Sequence, residues 1–276
     1  MSIPITFMIP VFNEEKRIKF TLDHATKWAD EVLIIDKSST DNTVAICKSY
    51  PNVRVETIPY SLKGDDDLVS YLNKAKYDWV FVCTASEVPT KKCIEYSKKI
   101  LEQTKGELDL IRVPRKYYSL GIYHDFSPWG INYFPFFVNR KKAHIQNVIH
   151  ANFLSHGAHC EAAIPFAEDC CIHHFTHPTA KQYVEDMLQY FIVEAEECKT
   201  KEQLQYKQQM AMKYIHDYIT NKWKADDRRI FGPLCAWGIY HYGVALFCWE
   251  KEHGCDIPQH YQDKMKNIID TEWKTP

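Results

Sequence analysis

Four short apolar runs in the first 110 residues, each followed by a helix-forming stretch, constrain this chain more than any other feature. Ile5–Ile9 is the first and is ended by Pro10; Glu31–Asp36, Val53–Ile58 and Asp78–Cys83 follow. Runs this short, rich in Ile and Val and bounded by turn residues, read as buried strands. Between them Asn13 offers a helix cap, with Glu14 and Glu15 where negative charge suits a helix start, and the pattern predicts a helix to about Trp28. Thr40 or Asp41 caps a second helix through about Lys48, and Asp67–Lys76 and Pro89–Glu102 supply two more. This order predicts an α/β fold, a mostly parallel Rossmann-like sheet with helices on both faces. Such sheets take ligands at the carboxyl ends of their strands. Those ends are Pro10–Glu15, Asp36–Asp41, Pro59–Lys63 and Thr84–Glu87.

The rest of the chain reads differently. Ile111–Pro114 is strand-like, and Tyr117–Phe137, crowded with aromatics, Gly and Pro, reads as a loop. Beyond Pro178 the pattern is helical over Lys181–Glu197, Lys201–Trp223 and Pro233–Trp249. The expected organisation is a domain over 1–178, split into a ligand-binding half (1–110) and a second half (111–178), followed by a helical C-terminal extension over 179–276. Ile230–Trp249 is uncharged and has the length of a membrane span. Its Gly232, Pro233, Gly238, His241 and Gly243 favour a buried or surface-lying helix instead.

Charge excludes one class. Lys and Arg total 34 against 36 Asp and Glu, whereas a general nucleic-acid binder is basic. The ten cysteines are read as reduced. No basic leader precedes the first strand, and Cys47, Cys83 and Cys93 lie in or beside apolar periodic segments. Together these predict a cytoplasmic protein.

The strand ends carry a resemblance. Pro10-Val11-Phe12-Asn13-Glu14-Glu15 resembles the P-x-[YF]-N-E opening of family-2 glycosyltransferases, and Asp36-Lys37-Ser38-Ser39-Thr40-Asp41-Asn42-Thr43 resembles their D-x-x-S-x-D-x-T second strand end. Asp78–Val82 is similar to the strand leading into their metal-binding D-x-D. Weaker likeness to enzymes that build lipopolysaccharide cores continues through Phe136–Arg140, Val148-Ile149-His150, Ile172–Phe175 and Tyr183–Tyr190. The resemblance implies the GT-A fold and a hexosyltransferase type of activity. It further implies inverting transfer from a nucleotide-diphosphate sugar to a glycan or glycolipid in polysaccharide or lipopolysaccharide biosynthesis. Phe12 would stack on the base. Asn13, Glu15 and Asp36 would bond the base or ribose, with Pro10, Lys63, Thr84 and Ser86 completing the donor site. On residue types alone, Phe12 could equally pack in the core and Asn13 cap a helix.

Two departures from the family pattern stand out. Where the family has D-x-D followed by Glu, this chain has Thr84-Ala85-Ser86-Glu87, so one carboxylate remains for Mg²⁺ or Mn²⁺, and Glu87 is a weak metal site at most. Where the family has V-H-E, Ala151 follows His150. Three readings stay open. One is metal-independent transfer, its charge balanced by Lys63, Arg115, Lys116, Arg140, Lys141 or Lys142 with His150 donating a hydrogen bond. The second is a metal on Glu87 with further ligands. The third is an inactive relative that binds nucleotide or carbohydrate. The acceptor hydroxyl needs a base. Asp125, Glu161, Glu168 and Asp169 are the candidates, with Asp125 favoured for its aromatic loop, although an Asp before Ser-Pro also makes an ordinary turn. His156, His159, Cys160, Cys170, Cys171, His173, His174 and His177 contain zinc-ligand types but match no defensible spacing. Trp223, Trp237 and Trp249 could touch a membrane surface or a partner subunit, though a packed helical cap is the preferred reading.

Overall fold

β1 (Ile5–Val11) has every residue but Pro10 buried, because parallel neighbours flank it on both sides. These are β2 (Glu31–Asp36) and, after β3 (Val53–Thr57), β4 (Trp79–Val82). Between these strands run α1 (Ile18–Ala25), α2 (Thr43–Lys48) and α3 (Leu68–Lys74). The protein is described by a computed structural model over residues 2–60, 68–123, 130–145, 153–176, 179–222, 231–253 and 262–267.

The sheet then changes direction. β5 (Glu87–Pro89) and α4 (Lys91–Gln103) follow β4, and β6 (Leu110–Ser119) and β7 (Ile131–Asn139) form an antiparallel pair. A small pair, β8 (His144–Ile145) with β9 (Phe153–Leu154), leads to β10 (Glu161–Ala163) and β11 (Ile172–Thr176). The main sheet has the order β3-β2-β1-β4-β7-β6-β11-β5, with β10 paired to β6. β4 and β5 are adjacent in sequence yet separated by three strands in the sheet, which curls. Alternating side chains split the core: Ile5, Phe7, Ile9 and Val11 pack with α1 on one face, and Met8, Leu33, Ile35 and Val80 on the other.

Two expectations are corrected. The first helix begins at Ile18 rather than at Asn13, because residues 14–17 form a turn. Among the described residues of Tyr117–Phe137, Tyr117–Ser119 and Ile131–Phe137 are strand, not loop. Pro135 is accommodated in β7 because the β6–β7 register shifts between Ile111 and Arg112, at a bulge that needs no proline N–H.

The chain separates into two compact units, Met1–Tyr183 with Asp226–Pro233, and Val184–Ala225 with Leu234–Pro276. The second is built from α5 (Ala180–Glu197) from Val184 on, α6 (Lys201–Lys222), and α7 (Phe231–His253) from Leu234 on. Its interior holds a polar link, in which Glu194, 5% exposed, bonds Lys207 at 2.5 Å and also accepts the Tyr240 hydroxyl. Gly243 is required by packing, since a Cβ there would lie 2.4 Å from the Phe191 ring. Among the described residues no helix is long and apolar enough to cross a membrane.

Candidate functional site

The loops after β1 and β2 are stitched together by their polar side chains. Asn13 (φ 54) and Ser38 (φ 60) take left-handed backbone, which Asn tolerates better than most residues. Asp36 Oδ1 accepts the Ser39 N–H (3.1 Å), and Ser39 Oγ accepts the Asn13 N–H (3.0 Å). Asp41 Oδ2 accepts from the Glu15 N–H (3.1 Å) and Oδ1 from the Thr43 N–H (2.9 Å), while Thr43 Oγ1 accepts from the Glu14 N–H (2.7 Å). In return Asn13 Oδ1 accepts the Thr40 N–H (2.8 Å), and Glu15 Oε2 accepts from the Asn42 backbone and side-chain amides (3.1 and 2.9 Å). The D-x-x-S-x-D-x-T spacing thus satisfies orphan backbone donors at two strand ends. Asn13 caps no helix; its carboxamide belongs to the stitch.

These bonds leave an aromatic pair standing at the strand ends. Phe12 is 38% exposed and Tyr60, just beyond β3, is 50% exposed. Their ring centroids lie 4.4 Å apart. Phe12 therefore does not pack in the core, and Tyr60 is the residue that sequence reasoning missed. Its only signal was its place in the third strand end. Asp36 is 1% exposed beneath the loops, and Pro10 pairs with Ile35 inside the sheet.

Thr84–Glu87 connects β4 to β5. Thr84 Oγ1 and Ser86 Oγ lie 3.0 Å apart, with Thr84 exposed. Glu87 turns inward and is 2% exposed. Its Oε2 accepts the Thr84 N–H (2.9 Å); its Oε1 accepts from Arg115 Nη1 (3.0 Å) and lies 3.7 Å from His174 Nδ1. Sheet register explains the meeting. Glu87 pairs with His174, His174 with Tyr117, and Arg115 lies two residues before Tyr117 on the same face. Arg115 is further held by Asn132 Oδ1 (3.1 Å) and lies over the Phe134 ring at 4.6 Å. Burial pushes the Glu87 carboxyl up, but His174, Arg115 and the Thr84 N–H outweigh it and hold the group below the ordinary carboxylate range.

A hard divalent cation needs several anionic or carbonyl oxygens directed at one point. Thr84 and Ser86 offer neutral hydroxyls, and Glu87 spends its oxygens on Arg115, His174 and a backbone amide. This donor set does not fit Mg²⁺ or Mn²⁺. Among the described residues no group of three His, Cys, Asp or Glu side chains could hold a metal. Among the described residues the histidines and cysteines considered for zinc do not form one cluster. His156 bonds Asp109 (2.9 Å) and His144 (2.6 Å), whereas Cys171 lies beside His173 on β11 (3.8 Å) with its thiol pushed up to about 11 by burial.

Other candidates are sorted by place. Lys63, Asp125, His150 and His177 lie outside the described residues. Arg140, Lys141 and Lys142 were candidate charge-balancers, but they bond Asp78, Tyr77 and Glu107 at the amino end of β4, the opposite edge of the sheet from the strand ends that carry the loops. The antiparallel run of β7 against β4 puts them there. Glu161 is at that edge too, paired with Arg112 (3.2 Å). Asp169 pairs with Lys92 (2.8 Å) on the surface, and Glu168 with Lys116 (2.6 Å). Beside Ser86 opens a cleft of 500 Å³ between α1 and the β5–β11 edge, walled by Phe20, His24, Val88 and Phe175. Among the described residues neither ring nitrogen of His24 has a hydrogen-bond partner, and burial pushes it down to about 4, so it is neutral there.

A parallel sheet with stitched loops at its carboxyl ends, extended by an antiparallel half that curls back to the first, is the GT-A type of glycosyltransferase fold. The family model "Glycosyl transferase family 2" matches residues 6–159, and the chain belongs to that family. No curated protein matches the sequence. Among solved structures, S. aureus TarS 1-349 in complex with UDP is 13% identical, with 92% of each chain covered and a TM-score of 0.41. The complex of S. aureus TarS 1-349 with UDP-GlcNAc is 14% identical, covering 91% of this chain and 92% of that one, with a TM-score of 0.36. Glucosyl-3-phosphoglycerate synthase from Mycobacterium tuberculosis, with Mn²⁺, UDP-glucose and phosphoglyceric acid, is 13% identical, covering 68% of this chain and 77% of that one, with a TM-score of 0.40.

Proposed function

We propose that this glycosyltransferase moves a hexose from a nucleotide-diphosphate sugar to a glycan or glycolipid under construction, with inversion at the anomeric carbon, in the cytoplasm. The observation that carries the reading is the exposed Phe12–Tyr60 pair held by stitched loops over buried Asp36, where a parallel sheet receives its ligand. The rings stack the base, and the exposed Asn13 side chain bonds its edge or the ribose, with Asp36 holding the loop from beneath. The diphosphate lies toward Thr84 and Ser86. The acceptor hydroxyl attacks the anomeric carbon as a base takes its proton, and the bond to the diphosphate oxygen breaks. Asp125 is the proposed base and His150 a proposed donor to the leaving group. The aromatic-walled cleft beside Ser86 suits an acceptor sugar, whose apolar face stacks on rings such as Phe20 and Phe175.

The replacement of both D-x-D carboxylates favours a second reading, a relative that binds donor without turnover. Calorimetry with UDP, GDP, CDP and dTDP, followed by turnover assays with the matching sugar-nucleotides, tests both. Binding with turnover supports transfer, and binding alone supports the second reading. No binding to any of the four overturns both.

A further inference from the structure

Glu87 is the one carboxylate left where the family places a metal, and its surroundings already supply two basic partners. Its side chain is 3% exposed, against 14% for Arg115 and 13% for His174. Both oxygens are engaged, one by Arg115 and the other by the Thr84 N–H, and His174 Nδ1 lies 3.7 Å from the first. Arg115 cannot swing aside cheaply, because Asn132 and the Phe134 ring fix its guanidinium. A cation reaching Glu87 would have to displace the half-buried Arg115 and leave that charge without its carboxylate.

We propose that this chain replaces the divalent cation from within: Arg115 neutralises Glu87, with the His174 ring beside it, and the Thr84 and Ser86 hydroxyls receive the donor diphosphate directly. The inference rests on the donor reading above. Two carboxylates facing a diphosphate repel it unless a metal stands between them. Two hydroxyls carry no such charge. At 3.0 Å apart, one O–H donates to its neighbour and the other remains free to donate to a phosphate oxygen. The same hydroxyls that make a poor metal site therefore make a serviceable phosphate contact. Arg115 is a positioning residue here: it acts through Glu87, which in turn holds the Thr84 backbone.

The test uses the full chain and three readouts. Calorimetry measures UDP, GDP, CDP and dTDP, each with its parent nucleoside, in chelator and in excess Mn²⁺; electron paramagnetic resonance measures Mn²⁺ bound to the chain alone and with nucleotide. The expected result is a nucleoside diphosphate affinity that agrees within about twofold with and without Mn²⁺. The paired substitution Thr84→Val with Ser86→Ala should weaken that affinity about tenfold and leave the parent nucleoside unchanged. Thr84→Asp with Ser86→Asp should make binding require Mn²⁺. The proposal is overturned if Mn²⁺ raises wild-type affinity about tenfold, or if the chain binds Mn²⁺ that Glu87→Gln releases. It is also overturned if the hydroxyl-free pair binds as well as wild type. Loss of all nucleotide binding sinks the donor reading itself, whereas metal-dependent binding sinks only this inference.

Discussion

Asn13 and Thr40 face each other across the mouth of the sheet. The Thr40 N–H donates to Asn13 Oδ1 at 2.8 Å while the Asn13 backbone sits at φ 54. One residue thus both makes a left-handed turn and ties it to the loop opposite. Asn13→Ala removes the acceptor and places a residue with less tolerance for that turn. We expect a loss of about 1–3 kcal/mol in denaturant unfolding. Asn13→Gly, which keeps the turn but not the bond, should lose less. Equal losses in the two variants would show that the turn conformation contributes nothing.

Breaking the buried pair at Glu87 should cost more. Arg115→Met leaves the buried carboxylate without its arginine, beside His174 and the Thr84 N–H, and an orphaned buried charge typically costs about 3–5 kcal/mol. Adding Glu87→Gln to Arg115→Met should recover part of this, since the neutral amide no longer needs a cation. A double variant no more stable than Arg115→Met in thermal unfolding would refute the coupling.

The same pair sets a pH limit. The Glu87 carboxyl is held below its ordinary range in the folded protein, so its contribution is present above the unfolded value of about 4.3 and is lost as pH falls through the lower folded value. Unfolding free energy should therefore drop on acidification below about pH 4.3, and drop less in Glu87→Gln. Parallel curves for the two proteins between pH 5 and pH 2 would contradict this.

The Phe12–Tyr60 pair predicts a binding effect without a folding effect. Both rings are exposed, so Phe12→Ala and Tyr60→Ala should leave unfolding midpoints nearly unchanged. Base–aromatic stacking is worth about 1–3 kcal/mol, so each variant should weaken nucleoside diphosphate binding about tenfold. Unaltered affinity in both would remove the pair from the donor site.

Within the helical unit, Gly243→Ala gains about 1 kcal/mol of helix propensity but drives a methyl to 2.4 Å from the Phe191 ring. Overpacking of that kind costs about 1–3 kcal/mol, and the short contact makes the cost win. The melting temperature should fall, and Phe191→Leu in the same chain should turn the Ala substitution neutral or stabilising.

Much of the first half was legible because a central parallel strand must be apolar on both faces, and Ile5–Ile9, Glu31–Asp36 and Asp78–Cys83 are. The start of the first helix was not, since Glu14 and Glu15 suit a helix N-terminus and a stitched turn equally well. The β6–β7 hairpin was hidden by Pro135, which reads as a strand breaker until the bulge beside it is known. Phe12, Asn13 and Asp36 could be placed at the strand ends from topology alone. The partners of Glu87 could not: Arg115 lies 28 residues away, and His174 arrives only through the pairing of β5 with β11. Local patterns say nothing about which distant strands will share a face.

That pairing also bears on how the polypeptide can be made. A growing chain that has emerged only through residue 110 contains Glu87 but neither Arg115 nor the β11 strand that β5 pairs with, so its carboxylate stays in water rather than in its final buried place. The early half cannot settle into its final form ahead of the later one. Truncation before β11 should yield a species that chaperones and proteases treat as unfinished, however complete its first four strands are.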